Sequence, residues 1–154
     1  MRLSTRAHYA VRAVLDLAIH AVDRPVPVQE IAERQAISQA YLEQLFSKLR
    51  RGRIIRSVRG SRGGYLLARP AAEVTLAEIM EWVDEPLEPV ACLDKDGHCD
   101  REGGCNTHHI WRDLSRHIRS FLESLTVEQA LRDAPMEESV NATDTGRQSL
   151  SSGG

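Results

Sequence analysis

Ser38-Gln39-Ala40-Tyr41-Leu42-Glu43-Gln44-Leu45-Phe46-Ser47-Lys48-Leu49-Arg50-Arg51-Gly52 is the stretch on which the fold turns. Tyr41, Leu42, Leu45, Phe46 and Leu49 recur at three- and four-residue steps, the spacing of one buried helix face. Ser38 suits the N-cap, because its hydroxyl can accept a bond from an unpaired backbone N–H of the first turn, and Gly52 suits the end. Gln39, Glu43, Gln44, Lys48, Arg50 and Arg51 occupy the other side. Just upstream, Val28 to Gln35 opens after a proline and reads as a short helix, with Val28, Ile31 and Ala32 inward and Gln29, Glu30, Glu33 and Arg34 outward. The tight connection Ala36-Ile37 joins the two, which is the pattern of a helix-turn-helix whose second helix presents a polar reading side.

The flanks complete a recognisable unit. From Thr5 to Val22 the residues Tyr9, Val11, Val14, Leu15, Ala18, Ile19 and Val22 form one amphipathic stripe, and Asp23-Arg24-Pro25-Val26-Pro27 ends that helix. Downstream, the β-prone runs Ile54-Ile55-Arg56-Ser57-Val58 and Tyr65-Leu66-Leu67-Ala68 flank Arg59-Gly60-Ser61-Arg62-Gly63-Gly64, the signature of a glycine-tipped hairpin. Such a hairpin is a candidate wing. It is expected to carry Arg56, Arg59 and Arg62 at its tip, where Gly60 allows close backbone approach and a phosphate backbone or minor groove can receive the cations.

Charge divides the chain in the same way. Residues 1–69 carry 13 Lys and Arg against 5 Asp and Glu, a net +8, and residues 70–154 carry 7 against 17, a net −10. The overall charge of −2 conceals this asymmetry, which suits a basic half facing a polyanion and an acidic half with another task. A hydrophobic share of 42% over 154 residues is that of a globular chain, which excludes a collagen, a mostly disordered chain and a disulfide miniprotein. No run approaches the roughly 20 apolar residues of a membrane span, and Arg12 and Asp16 interrupt the N-terminal apolar segment, so a cytoplasmic location is expected.

Beyond Pro70 the pattern changes. Thr75 and Glu78 form a capping box, which predicts a helix from Leu76 to Val83 with Leu76, Ile79, Met80 and Val83 inward, stopped by Pro86 and Pro89. Trp111, Leu114, Ile118, Phe121, Leu122 and Leu125 give a three/four spacing from His109 to Leu125, with Arg112, Asp113, Arg116, Arg119 and Glu123 opposite, a helix long enough for dimerisation. Thr126 and Gln129 open a last short helix by the same capping logic, and the tail after Pro135 has the composition of a disordered end. The expected organisation is a winged helix-turn-helix over 1–69, a linking helix over 70–83 and a cysteine-bearing loop over 84–108. The dimerisation helix and last short helix follow over 109–133, and the tail over 134–154. The fold class is mainly α with a small β-hairpin wing.

All three cysteines, Cys92, Cys99 and Cys105, fall within 14 residues of the acidic loop, with gaps of six and five residues, and His108 follows Cys105 after two more. Thiols crowded into a polar loop of a cytoplasmic chain suit metal or redox chemistry better than core packing. A Cys3His zinc site is one reading, although such sites usually hold two cysteines only two residues apart. An iron-sulfur cluster suits wider gaps, and a thiol-oxidation switch is a third reading. His98 and His109 lie close by, though the spacing favours His108. His8, His20 and His117 read as surface or partly buried groups, and Trp82, Trp111 and Phe121 as core or dimer interface. No phosphate loop, nucleophile elbow or paired-carboxylate motif occurs, so an enzyme is the weaker class. A small iron-sulfur electron carrier and a zinc-stabilised interaction module are the other classes, and the basic helix-turn-helix half argues against both.

Met1-Arg2-Leu3 with Tyr9-Ala10-Val11, Tyr41-Leu42-Glu43-Gln44-Leu45-Phe46, Ser57-Val58-Arg59-Gly60 followed by Gly63-Gly64-Tyr65-Leu66-Leu67, and Trp111-Arg112-Asp113-Leu114 carry a resemblance. Over about residues 1–133 the chain resembles the bacterial winged-helix regulators of iron-sulfur cluster assembly, the IscR type, within a wider family that includes nitric-oxide and iron sensors. The resemblance implies a homodimeric DNA-binding regulator holding one 2Fe-2S cluster per subunit through Cys92, Cys99, Cys105 and His108. The first cysteine gap is one residue longer than that pattern, and His109 supplies a second imidazole. The implied partners are a double-stranded DNA operator and cluster-assembly scaffold proteins, and the implied role is repression and activation of genes that include those for cluster assembly. The residues expected at DNA are Ser38, Gln39, Ala40, Tyr41, Glu43, Gln44, Lys48, Arg50, Arg51, Arg56, Arg59, Gly60 and Arg62.

Overall fold

Small side chains make the first helix the centre of the structure. In the computed structural model, which describes residues 2–93 and 105–134, α1 (Thr5–His20) buries Ala7, Ala10, Ala13, Val14 and Leu17 completely. Three alanines on one face let neighbouring helices approach closely, and α2 (Val28–Gln35), α3 (Gln39–Arg51) and α4 (Leu76–Trp82) all pack against α1. Ser4 caps α1 by accepting from the Ala7 amide at 3.2 Å. The helix ends at His20, two residues short of the sequence expectation: Ala21 leaves helical geometry at φ −93° and ψ 42°, ahead of the Pro25 turn.

The helix-turn-helix follows the sequence closely. Ala36 takes a left-handed φ of 52° and its N–H returns to the carbonyls of Ala32 and Glu33, so the chain leaves α2 sharply. Ser38 then caps α3 through the Tyr41 amide, and Leu42, Leu45, Phe46 and Leu49 face the core. Gly52 differs from expectation. Its φ is −75°, and the left-handed residue is Arg53 at φ 54°. Packing explains the glycine instead, because a Cβ there would lie 2.5 Å from the Trp82 ring.

Strands β1 (Ile55–Val58) and β2 (Gly64–Leu67) pair antiparallel with Ile55 opposite Leu67 and Val58 opposite Gly64. The hairpin is tied to the helical layer where Val26 and Tyr65 exchange backbone bonds of 3.0 and 2.8 Å, and the Tyr65 ring meets Phe46 edge-on at 4.8 Å. The expected capping box opens α4: Thr75 accepts from the Glu78 amide and Glu78 accepts from the Thr75 amide. Beyond a short 3-10 turn at Ala91–Leu93 come α5 (His108–Ser124) and α6 (Val127–Arg132), the latter capped by Thr126 as expected. Leu76 N–H to the Leu125 carbonyl at 3.0 Å and Val127 N–H to the Val74 carbonyl at 2.8 Å fasten both to the core that α1 organises.

Asp16 and Glu85 are the buried charged groups among the described residues. Asp16 on α1 is 3% exposed and accepts from Arg34 Nη2 at 2.7 Å, Arg34 Nε at 3.0 Å and Gln35 Nε2 at 2.7 Å. Arg12 in turn donates to Gln35 Oε1 at 3.1 Å. Burial works against the ionised carboxyl, yet the bonds from Arg34 and Gln35 and the Arg34 charge outweigh it and hold Asp16 below the usual carboxylate range. A folded carboxyl held below its unfolded value of about 3.9 stabilises the fold fully above that value, and the contribution is lost as pH falls through the folded value. Asp16→Ala is therefore expected to cost about 2 kcal/mol at neutral pH, a moderate figure because Arg34 keeps some access to water, and less in strong acid, where the carboxyl is protonated. Urea midpoints of both proteins across pH check this, and equal midpoints at neutral pH contradict it.

Candidate nucleic-acid interface and metal centre

The outer side of α3 is built by subtraction: once its apolar residues enter the core, a polar arc is left in water. Ser38, Gln39, Ala40, Glu43, Gln44, Arg50 and Arg51 are exposed. Gln39 donates to Glu43 Oε1 at 3.0 Å, so the carboxylate of the arc is held across one helical turn. Tyr41 is half-buried and meets Tyr9 of α1 edge-on at 6.1 Å, which gives it a packing role at the margin of the arc. Lys48 is also half-buried, and its ammonium is bound to the Asp84 carboxylate. That hydrogen bond holds Asp84 below the usual carboxylate range.

The wing carries fewer cations at its tip than the sequence suggested. Arg59, Gly60 and Arg62 are exposed in the turn, which closes with a 3.0 Å bond from the Gly63 amide to the Gly60 carbonyl, and Gly60 has φ 119°. Arg56 instead stands on β1 opposite Leu66 and lines an open hollow with Leu17, Ala18 and Val22 at the end of α1. Strand geometry accounts for the difference, since a residue three positions before the turn lies about 10 Å back along the hairpin.

The segment after α4 makes connections that no local sequence signal indicates. Asp84 takes a left-handed φ of 58°, its carbonyl accepts from Arg6 at 2.8 Å, and its carboxylate binds Lys48. Glu85, 7% exposed, accepts from the Ser4 amide at 2.9 Å and from the Ser4 hydroxyl. Arg119 of α5 pairs with Glu81 and, at 3.5 Å, with Glu88. Residues 81–88 therefore touch α1, α3 and α5 through charges that composition alone marked only as an acidic stretch.

Cys92 lies half-buried in the 3-10 turn four residues beyond Glu88. Cys105 is half-buried too, with its sulfur 3.4 Å from Thr107 Oγ1 and its carbonyl accepting from the His108 amide at 3.4 Å. His108 is the half-buried first residue of α5, whereas His109 is exposed. His20 and His117 bring Nδ1 onto the carbonyls of Asp16 and Asp113, and His8 is exposed on α1. Cys99 and His98 lie outside the described residues, as does the tail beyond residue 134. Among the described residues no three His, Cys, Asp or Glu side chains form a metal-binding group. The donors themselves suit a borderline-to-soft metal: Cys105 and His108 are joined within one turn at the start of α5, and Cys92 is a free thiol.

Among the described residues no helix is long and apolar enough to cross a membrane. The sequence profile of the Rrf2 family, described as iron-dependent transcriptional regulators, matches residues 3–133. The HTH-type transcriptional regulator IscR of Xenorhabdus nematophila is 42% identical over 153 residues, 99% of this chain and 93% of that protein. Its counterpart in Photorhabdus laumondii is 46% identical over 133 residues, 86% of this chain and 80% of that protein. Among solved structures, T. potens IscR superposes with a TM-score of 0.71 at 35% identity, covering 88% of this chain and 89% of the other. CymR, the global cysteine regulator of B. subtilis, gives 0.71 at 27% identity, covering 88% and 99%. These relatives are regulators and not enzymes, in keeping with a sequence that carries no catalytic constellation. With a polar arc on α3, a hairpin wing and a family match from residue 3 to residue 133, the chain belongs to the Rrf2 family of iron-dependent transcriptional regulators.

Proposed function

We propose that the chain is a cytoplasmic, homodimeric regulator that binds operator DNA through α3 and the wing and senses iron-sulfur status through one 2Fe-2S cluster per subunit. The observation that carries this reading is the placement of Cys105 and His108 at the foot of α5, with Cys92 leading out of a segment bonded to the reading helix. Cys92, Cys99, Cys105 and His108 would hold the cluster. The half-buried His108, bonded through its backbone to Cys105, is better placed than the exposed His109. When bound, the cluster supplies a charge and redox state that respond to iron supply and oxidants.

At DNA, Ser38, Gln39, Ala40, Glu43, Gln44, Arg50 and Arg51 would meet the major groove and its phosphates, with Arg59, Gly60 and Arg62 at the adjacent backbone or minor groove. Glu43 acts as a selector, since a carboxylate repels phosphate and accepts from a cytosine amino group. Its bond to Gln39 fixes where that carboxylate points. Tyr41 and Arg56 support the interface from its margins. Cluster-assembly genes are the proposed targets, and cluster-assembly scaffold proteins the source of the cluster.

The dimer reading rests on α5. Of its 17 residues only Leu122 is buried, and Ile110, Leu114 and Phe121, 63% exposed, share one face. An apolar helical stripe of this kind is covered by a second copy of itself in a symmetric dimer.

The protein isolated without oxygen should contain about two irons and two sulfides per chain, and Cys92→Ser, Cys99→Ser or Cys105→Ser should remove them. Iron, sulfide and zinc analysis with an absorption spectrum reads this, and about one zinc without sulfide would overturn the cluster assignment. Sedimentation should give twice the chain mass for the native protein and the single-chain mass for Phe121→Glu. A native protein sedimenting as one chain would overturn the dimer.

A further inference from the structure

Lys48 and Asp84 are 36 residues apart in sequence, and their side chains form an ion pair at the edge of the reading face. Lys48 lies one turn beyond Gln44 on α3, so its ammonium borders the arc that faces the nucleic acid. Asp84 begins the segment that ends at Cys92. Its backbone is held by Arg6 through the carbonyl, and the next residue, Glu85, is buried against Ser4. The carboxylate is thus presented to Lys48 from a fixed backbone, while the side chain itself is 69% exposed. An exposed pair of this kind is weak, worth about 0–1 kcal/mol, so phosphates or a small shift of the segment can compete with it.

We propose that Asp84 is a brake on DNA binding: it occupies Lys48 and withholds that cation from the phosphate backbone, and displacement of residues 84–92 releases it. The inference deepens the sensing proposed above, because Cys92 terminates the same segment. A change at that thiol reaches Asp84 through a stretch pinned by Leu87, which is 3% exposed, and by the Glu88 contact to Arg119. Freed Lys48 adds a phosphate contact, so it strengthens binding to every duplex and does not select among sequences.

Asp84→Asn tests the brake without disturbing the turn, since asparagine tolerates the left-handed backbone at this position. The full-length, cluster-free protein is titrated into a selected operator duplex and an unrelated duplex over a range of salt. Asp84→Asn should bind both about two- to fivefold more tightly, with a salt slope steeper by about one. In a Lys48→Gln background the same substitution should produce no gain. The proposal is overturned if Asp84→Asn binds as the native protein does or more weakly. It is equally overturned if the gain survives in Lys48→Gln, which would assign the effect to long-range charge. A second arm compares cluster-loaded with cluster-free protein on the unrelated duplex. The ratio of affinities should approach one in Asp84→Asn, and a ratio equal to the native one would overturn the link to Cys92. Failure of the native protein to bind any duplex would instead overturn the reading of α3 as a DNA-contacting helix.

Discussion

The bonding of Asp16 to Arg34 and Gln35 fixes the helix-turn-helix to the rest of the molecule. An ionised carboxylate that is 3% exposed demands partners, and α2 supplies them from its last turn, immediately before the left-handed Ala36 swings the chain into α3. The polar bonds tie the last turn of α2 to α1, and buried Leu42, Phe46 and Leu49 anchor α3 in the core. Hydrophobic burial supplies most of the driving force, while the buried charge restricts which packing is accepted. The exposed arc of α3 owes its direction to both.

A second layer of charge joins the DNA-facing half to the cysteine-bearing half. Glu81, Asp84, Glu85 and Glu88 engage three parts of the fold: Glu81 and Glu88 meet Arg119 on α5, Asp84 meets Lys48 on α3, and Glu85 meets Ser4 at the start of α1. Among the described residues two ion pairs join the halves, Asp84 with Lys48 and Glu78 with Arg69, so part of the sequence asymmetry in charge is neutralised inside the molecule. A regulator gains from this arrangement because exposed pairs rearrange readily, whereas a packed apolar seam between the same elements would resist a signal.

Elements governed by local chemistry were legible in the sequence. The bounds of α2 and α3, the capping box at Thr75 and Glu78, the Thr126 cap and the hairpin all follow from neighbours a few residues apart. Features that depend on distant partners were not. Gly52 looks like a helix-stopping glycine in sequence, yet its role is to make room for Trp82 thirty residues on. Arg56 joined the tip cations on paper because sequence distance does not reveal how far back along a strand a residue sits. Lys48 read as one more exposed cation of α3 because nothing local to it indicates Asp84. The cysteine spacing and its nearest histidine were legible as donor chemistry, and the structure adds the joining of Cys105 to His108 at the start of α5. The span of 94–104, with Cys99, lies outside the described residues.

The central claim is that the state of the cysteine site changes how strongly the protein binds DNA through α3 and the wing. Its most direct test is selection of duplexes from a random pool by the cluster-loaded and by the cluster-free protein, followed by measurement of both forms on each selected sequence at one fixed salt concentration. The account predicts that the two forms differ in affinity for the same duplexes. Identical preferences and identical affinities for the loaded and cluster-free forms would contradict it.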